Sequence, residues 1–178
     1  MSFDKVIWSE GMFIRAQHFQ QDARYVERLI RSRSKGLRPY GWGLTELRLN
    51  RELLSIGRFG VERASGVFAD GTPFSIPADV AGLQPLVLNE NVRNAIVYLT
   101  LPISQPGGQE AADPDAETLT RYVASEIEVA DANSSDMSAA PITVGKLRLR
   151  YQLESSDRSG FVGIGLARII EVRADNTV

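Results

Sequence analysis

Cysteine is absent from this 178-residue chain. Its absence removes disulfides, thiolate nucleophiles and thiolate metal sites together, and it fits a reducing compartment. Histidine is nearly as scarce. His18 is the single one, so a zinc site would need three or more carboxylates, an unusual ligand set. Nothing approaches the roughly 20 consecutive apolar residues of a membrane span. The opening Met1–Glu10 has no positive segment followed by a long apolar run, so it does not read as a signal peptide. An excess of positive charge is missing too: Lys and Arg number 20 against 22 Asp and Glu, a net charge of -2. The densest basic group, Arg28, Arg31, Arg33, Lys35 and Arg38, stands alone, whereas phosphate-backbone binding needs a broader basic face. The expectation is a soluble, cytoplasmic protein with no nucleic-acid partner and no direct membrane insertion.

What is present is ordinary for a globular domain: 43% hydrophobic and 24% charged residues, in a chain long enough for one sizeable core. Residues 1–15 are rich in large apolar groups (Phe3, Val6, Ile7, Trp8, Met12, Phe13, Ile14) without a clean period, and Gly11 interrupts any helix starting at Trp8. This segment reads as an extended arm. Residues 16–34 read as a helix, because Phe19, Ala23, Val26 and Ile30 recur at helical steps. Glu27 and Arg31 are spaced to pair, and Gly36 and Pro39 end the segment.

From Tyr40 the pattern turns to short strands. Trp42–Leu49, Leu53–Ile56, Arg58–Arg63, Ala95–Leu101, Arg121–Val129, Lys146–Leu153 and Phe161–Val172 read as extended, the last bent at Gly163 or Gly165. Ala95–Leu101 has the composition of a central strand. Ala69-Asp70-Gly71-Thr72 is a turn. Ser104–Glu117 and Asn133–Pro141 read as loops by composition. About eight short strands predict a mainly β, antiparallel sandwich or barrel with one leading helix.

The segment Trp8-Ser-Glu-Gly-Met-Phe-Ile-Arg-Ala-Gln-His-Phe-Gln-Gln-Asp-Ala-Arg-Tyr25 resembles the opening of the TssK family of type VI secretion, also called ImpJ or VasE. The family pattern runs W-x-E-G-M-F-L-R-P-Q-H-F-Q-Q-x-x-R-Y. Ile14 replaces its leucine, and Ala16 replaces its proline, which removes a fixed φ at the junction of arm and helix. Tyr40-Gly-Trp-Gly-Leu44, Asp70-Gly-Thr-Pro-Phe74, Leu166-Ala-Arg-Ile169 and Glu171-Val172 resemble later family segments. The resemblance implies a β-sandwich akin to phage receptor-binding-protein shoulders, as residues 16–178 behind a docking arm of residues 1–15. It also implies a baseplate role at the inner face of the cytoplasmic membrane, homotrimers, and docking onto the wedge proteins TssF and TssG. The family's helical neck and its head, which meets the TssL/TssM membrane complex, would lie beyond this chain.

The residues fit that docking role in their own right. Trp8, Met12 and Phe13 are large apolar groups on a segment too short to bury them against itself, and Glu10 and Arg15 are placed to fix register. The partner-binding set is Trp8, Glu10, Gly11, Met12, Phe13, Ile14, Arg15, His18 and Phe19. The competing reading has the arm pack on its own domain as a terminal strand. Likewise, the basic end of the helix is either a solvated face or a contact for an acidic partner.

No catalytic, metal or cofactor residues are expected. His18 is flanked by Gln17, Gln20 and Gln21, which do not take protons. Gly57-Arg-Phe-Gly60 and Gly160-Phe-Val-Gly163-Ile-Gly165 lack the lysine and following helix of a phosphate cradle. Asp113 and Asp115 lack the further ligands of a calcium loop. A carbohydrate- or receptor-binding sandwich, with Tyr40 and Trp42 as sugar platforms, is the alternative reading.

Overall fold

A computed structural model describes residues 3–37, 39–105, 107–116, 118–133, 138–173 and 177–178. The chain falls into two compact units, Met1–Trp42 and Gly43–Val178.

In the first unit, residues 3–15 carry no helix or strand, and helix α1 follows at Ala16–Leu37. The helix passes through Gly36 and stops just short of Pro39, so the proline is the stronger breaker. The expected Glu27–Arg31 pair forms at 3.7 Å on the exposed surface.

The second unit is mainly β. Its strands are β1 (Gly43–Leu49), β2 (Arg58–Phe59), β3 (Val61–Val67), β4 (Pro73–Ile76), β5 (Leu86–Val87), β6 (Arg93–Pro102), β7 (Ala111–Ala112), β8 (Tyr122–Ala130), β9 (Ala139–Leu147), β10 (Arg150–Leu153) and β11 (Phe161–Glu171). They form sheets in the orders β1-β3-β4, β10-β6-β11, β7-β8-β9 and β2-β5. Every pair is antiparallel except the short β7–β8 ladder. As its composition predicts, β6 is a central strand, with β10 and β11 on its two sides.

Strands from different sheets share one core. Phe59, Phe68, Val97, Leu99 and Leu101 are wholly inaccessible, and Phe74, Leu149, Tyr151, Ile164 and Ile169 pack with them. Tyr151 ties its own sheet to two others, by edge and by tip. Its ring meets Phe59 edge-on at 5.4 Å, and its hydroxyl accepts the Val61 N–H at 3.1 Å. Burial pushes the phenol pKa up against the opposing effect of that N–H.

Several segments differ from the sequence reading, among them Ala111–Ala112 of the expected acidic loop, which pairs with β8 as β7. Leu53–Ile56 is not a strand: Arg51–Leu54 is a single helical turn, α2. Asn50 caps it, its side chain accepting the Leu53 N–H at 3.1 Å, and this local bond decides an apolar run too short to show a period. Lys146–Leu153 is not one strand but the end of β9 and the whole of β10, in different sheets. Leu147, Leu149 and Tyr151 keep facing the core across the break, which is why the alternation runs through it. Ala139–Pro141, expected as loop, opens β9 by pairing with Glu128–Ala130 of β8. Residues 134–137 of that expected loop, Pro106 and Glu117 of the acidic one, and Arg38 of the basic group lie outside the described residues.

Glycine is required where β1 and β3 meet. A Cβ on Gly66 would stand 2.3 Å from the carbonyl oxygen of Gly43. The expected bend in β11 is a register shift between Gly165 and Ala167 opposite Val97 and Tyr98. At the Asp70-Gly71 turn, Gly71 takes a φ of 87° and the Asp70 carboxylate accepts the Thr72 N–H at 3.0 Å. Buried Arg121 reaches the same turn, 2.6 Å from the Asp70 carboxylate, and donates to the Thr72 hydroxyl and to the Pro102 carbonyl at 2.7 Å. Burial alone would raise the Asp70 carboxyl pKa. The Thr72 N–H, the Arg121 charge and their side-chain hydrogen bonds outweigh it and hold the group below its ordinary value.

A candidate docking arm

The arm is shaped by one turn. The Met12 N–H donates to the Ser9 carbonyl at 3.3 Å, with Gly11 third in the turn at a φ of 76°. A positive φ at that position is what a type II turn requires, and it explains the glycine. Glu10 precedes it, exposed, and Met12 is partly buried.

Arg15 is the residue before α1, and His18 is the third residue inside it. The His18 Nδ1 accepts the Arg15 N–H at 3.0 Å, and the His18 N–H donates to the Arg15 carbonyl at 3.0 Å. A side chain at this position reaching back to the cap N–H is the role usually filled by Glu or Gln. The histidine therefore has a structural occupation for one ring nitrogen. Among the described residues, no group of three or more His, Cys, Asp or Glu is placed to hold a metal.

Trp8 closes on the start of the helix, with its ring centroid 6.1 Å from both His18 and Phe19. Further along the helix, the Gln21 side-chain amide donates to the Asp4 carbonyl at 2.8 Å, and Arg28 lies 5.4 Å over the Phe3 ring. The arm thus runs antiparallel to α1, from Trp8 near its start to Phe3 by its middle. Gln21 and Arg28 lie outside the docking set predicted from sequence, where Arg28 counts only in the basic group offered to an acidic partner. The signal for them is positional, since residues 18, 21, 25 and 28 share one helix face.

The structure brings Trp8, His18 and Phe19 together and leaves Phe13 and Ile14 apart from them. Phe13 is 80% exposed and Ile14 54%, while Trp8 is half-buried. Arg15 lies 5.9 Å over the Phe13 ring. Among the described residues Glu10 and Arg15 form no ion pair. Phe19 remains exposed and Tyr25 is partly buried. The arm is therefore tied to the helix at Trp8, Asp4 and Phe3, and its Phe13-Ile14 end is open.

The carbohydrate reading meets mixed geometry. Tyr40 and Trp42 are exposed, so burial does not remove them as platforms. A cleft of about 590 Å³ in the β unit is bordered by Gln84, Ser125, Arg148 and Tyr151. Tyr151, its one aromatic, is buried edge-on against Phe59 and offers no flat face. No helix among the described residues is long and apolar enough to cross a membrane.

Comparison with known proteins places these features in a family. The model of a family described as bacterial type VI secretion, with the names EvfL, ImpJ and VasE, matches residues 18–178. The chain is 41% identical over 177 residues to the type VI secretion system baseplate component TssK1 of Pseudomonas aeruginosa PAO1, a match covering 98% of this chain and 40% of that protein. A crystal structure of TssK superposes with a TM-score of 0.89 at 35% identity, over 99% of this chain and 40% of that one. A TssK-TssF-TssG baseplate subcomplex solved by cryo-electron microscopy contains a chain that superposes with a TM-score of 0.86. At 19% identity, over 99% of this chain and 59% of that one, the second likeness concerns the fold alone.

Proposed function

The chain belongs to the ImpJ and VasE family of bacterial type VI secretion proteins, and on that footing we propose that it is a structural part of the secretion baseplate that docks onto a TssF/TssG wedge through its N-terminal arm. It works by burial and not by catalysis. The observation that carries this reading is the unequal treatment of the arm's apolar groups. Trp8 is held against His18 and Phe19, while Phe13 and Ile14 remain in solvent. Covering a side chain of this size contributes roughly 1.5–3 kcal/mol. The turn at Gly11 and the ties at Asp4 and Phe3 lower the entropic cost of ordering the arm on a partner.

The chain spans 40% of the length of the baseplate relative it matches. Contact with a TssL/TssM membrane complex belongs to the remaining length of such proteins. The place of action is the cytoplasm, at the baseplate on the inner face of the cytoplasmic membrane. Support for the TssF and TssG partners comes from the family and from the subcomplex in which a chain of the same fold sits.

The test is capture of the chain by co-expressed TssF and TssG, with a Trp8→Ala/Phe13→Ala double variant alongside. Capture of the native chain and loss by the variant, at unchanged circular dichroism, is the expected result. Equal capture of both would move the docking surface off the arm. Binding on a glycan array would favour the carbohydrate reading instead.

A further inference from the structure

Leu147, Leu149 and Tyr151 face the core, so Arg148 and Arg150 between them turn the other way together. Both border the cleft of about 590 Å³ in the β unit, a volume that suits a ligand. Its walls are largely apolar, with Pro85 and Leu86 on one side, Pro114 on another and Val123 and Ala124 of β8 on a third. The described residues that border it include these two arginines and no carboxylate. Among the described residues neither arginine belongs to an ion pair. Arg148 is held by one long bond, its Nη2 donating to the Asp113 carbonyl at 3.3 Å, and its Nε is buried without an acceptor. A buried charged donor left unsatisfied is costly. A carboxylate would supply both the acceptor and the countercharge.

The same cleft presents main chain. β7 pairs with β8 only through Ala111 and Ala112, opposite Tyr122 and Val123. The Tyr122 N–H donates to the Glu110 carbonyl at 2.9 Å. The main-chain groups of Tyr122, Ala124 and Glu126 therefore point to the β7 side, and those of the residues between them point to β9. In this register the next donor, to the Ala124 carbonyl, would be residue 114. That residue is Pro114, which has no N–H. The chain turns away there, with the Ala116 N–H closing on the Asp113 carbonyl at 3.1 Å. Among the described residues, no strand continues beside this edge of β8 past Val123.

We propose that the cleft binds an extended acidic segment of another protein, its main chain laid along β8 from Ala124 and a Glu or Asp side chain received by Arg148 and Arg150. Strand addition supplies affinity with little regard to sequence, and side-chain pockets supply the choice. Arginine's flat fork matches a carboxylate by two parallel bonds. A free anion meets the guanidinium groups but gains nothing from the strand edge. The site lies in the β unit and does not rest on the arm's docking role.

The test is a nitrogen-15 NMR titration of the whole chain with acetyl-Val-Glu-Val-amide. The controls are acetyl-Val-Gln-Val-amide and acetate. The glutamate peptide is expected to shift the Arg148 Nε–H and the Ser125 and Glu126 amides together, with a dissociation constant that rises with salt. The glutamine peptide is expected to bind about tenfold more weakly, as loss of a charge-assisted hydrogen bond implies. Arg148→Gln should weaken the glutamate peptide to the same degree. Arg150→Gln, at an exposed position, should weaken it at unchanged circular dichroism, so damage to the fold at Arg148 does not decide the outcome. No shift at the Arg148 Nε–H overturns the proposal. So does equal binding of the glutamate and glutamine peptides, or of the native chain and both variants. Acetate that matches the glutamate peptide, with the β8 amides unmoved, shows an adventitious anion only and overturns it as well.

Discussion

Replacing Arg121 with methionine should cost the β unit about 3 kcal/mol. The guanidinium is 6% exposed and satisfies three acceptors: the Asp70 carboxylate, the Thr72 hydroxyl and the Pro102 carbonyl. Removing one partner of a buried ion pair costs about 3–5 kcal/mol. Asp70 is 28% exposed and regains water when the arginine goes, which points to the low end of that range. The Pro102 carbonyl, left without this donor, contributes to the same loss. Methionine fills similar volume, so a cavity adds little. In urea, with a slope of about 1–3 kcal/mol per molar, the midpoint should fall by about 1–3 M at unchanged slope. The pH dependence gives a second reading. The folded Asp70 carboxyl lies below its unfolded value of about 3.9. Its contribution is therefore present above that value and is lost as pH falls through the folded one. In Arg121→Met this acid loss should shrink but persist, because the Thr72 N–H still holds the carboxylate. A midpoint shift below about 0.3 M would refute the claim that Arg121 fastens the turn to the end of β6.

Gly66→Ala should separate β1 from β3 or unfold that sheet, since the new methyl would meet the Gly43 carbonyl at 2.3 Å. A loss above about 3 kcal/mol in urea is expected, and wild-type stability would show that the strands part easily. Tyr151→Phe should cost about 1–2 kcal/mol by leaving the Val61 N–H without its acceptor. Because the folded phenol titrates above its unfolded value of about 10, its contribution is present below that pH and lost as pH rises through the folded value. The variant should thus lose less stability above pH 10 than the native chain, as alkaline unfolding monitored by circular dichroism would show.

Local chemistry was legible in the sequence. The Asp70-Gly71 turn, the period of α1, the central place of β6 and the burial of Leu147, Leu149 and Tyr151 each follow from a few neighbouring residues. The misreadings have a common physical source. Leu53–Ile56 is too short for a period to choose between strand and helix, and the Asn50 cap chooses. Ala139–Pro141 has the composition of a loop, but its pairing with β8 overrides composition. Arg121 and Asp70 stand 51 positions apart, and no local pattern announces that they meet. In the arm, the apolar residues were visible by type. Which of them is held and which is free depends on helix positions 18, 19, 21 and 28, and so on the fold-back of the chain.

The ribbon of β8 and β9 ends in a stretch where Glu126–Ala130 pairs with Ala139–Thr143 and both strands stand in solvent. β9 borders its sheet, so its outer side is a template on which a strand from another molecule can grow. Pro141 interrupts that template, because it has no N–H to offer a newcomer, and Glu126 and Glu128 charge the ribbon beside it. At high concentration this protein would otherwise be exposed to edge-to-edge aggregation along Ile127, Val129 and Ile142. One proline sets how long such a preparation stays clear.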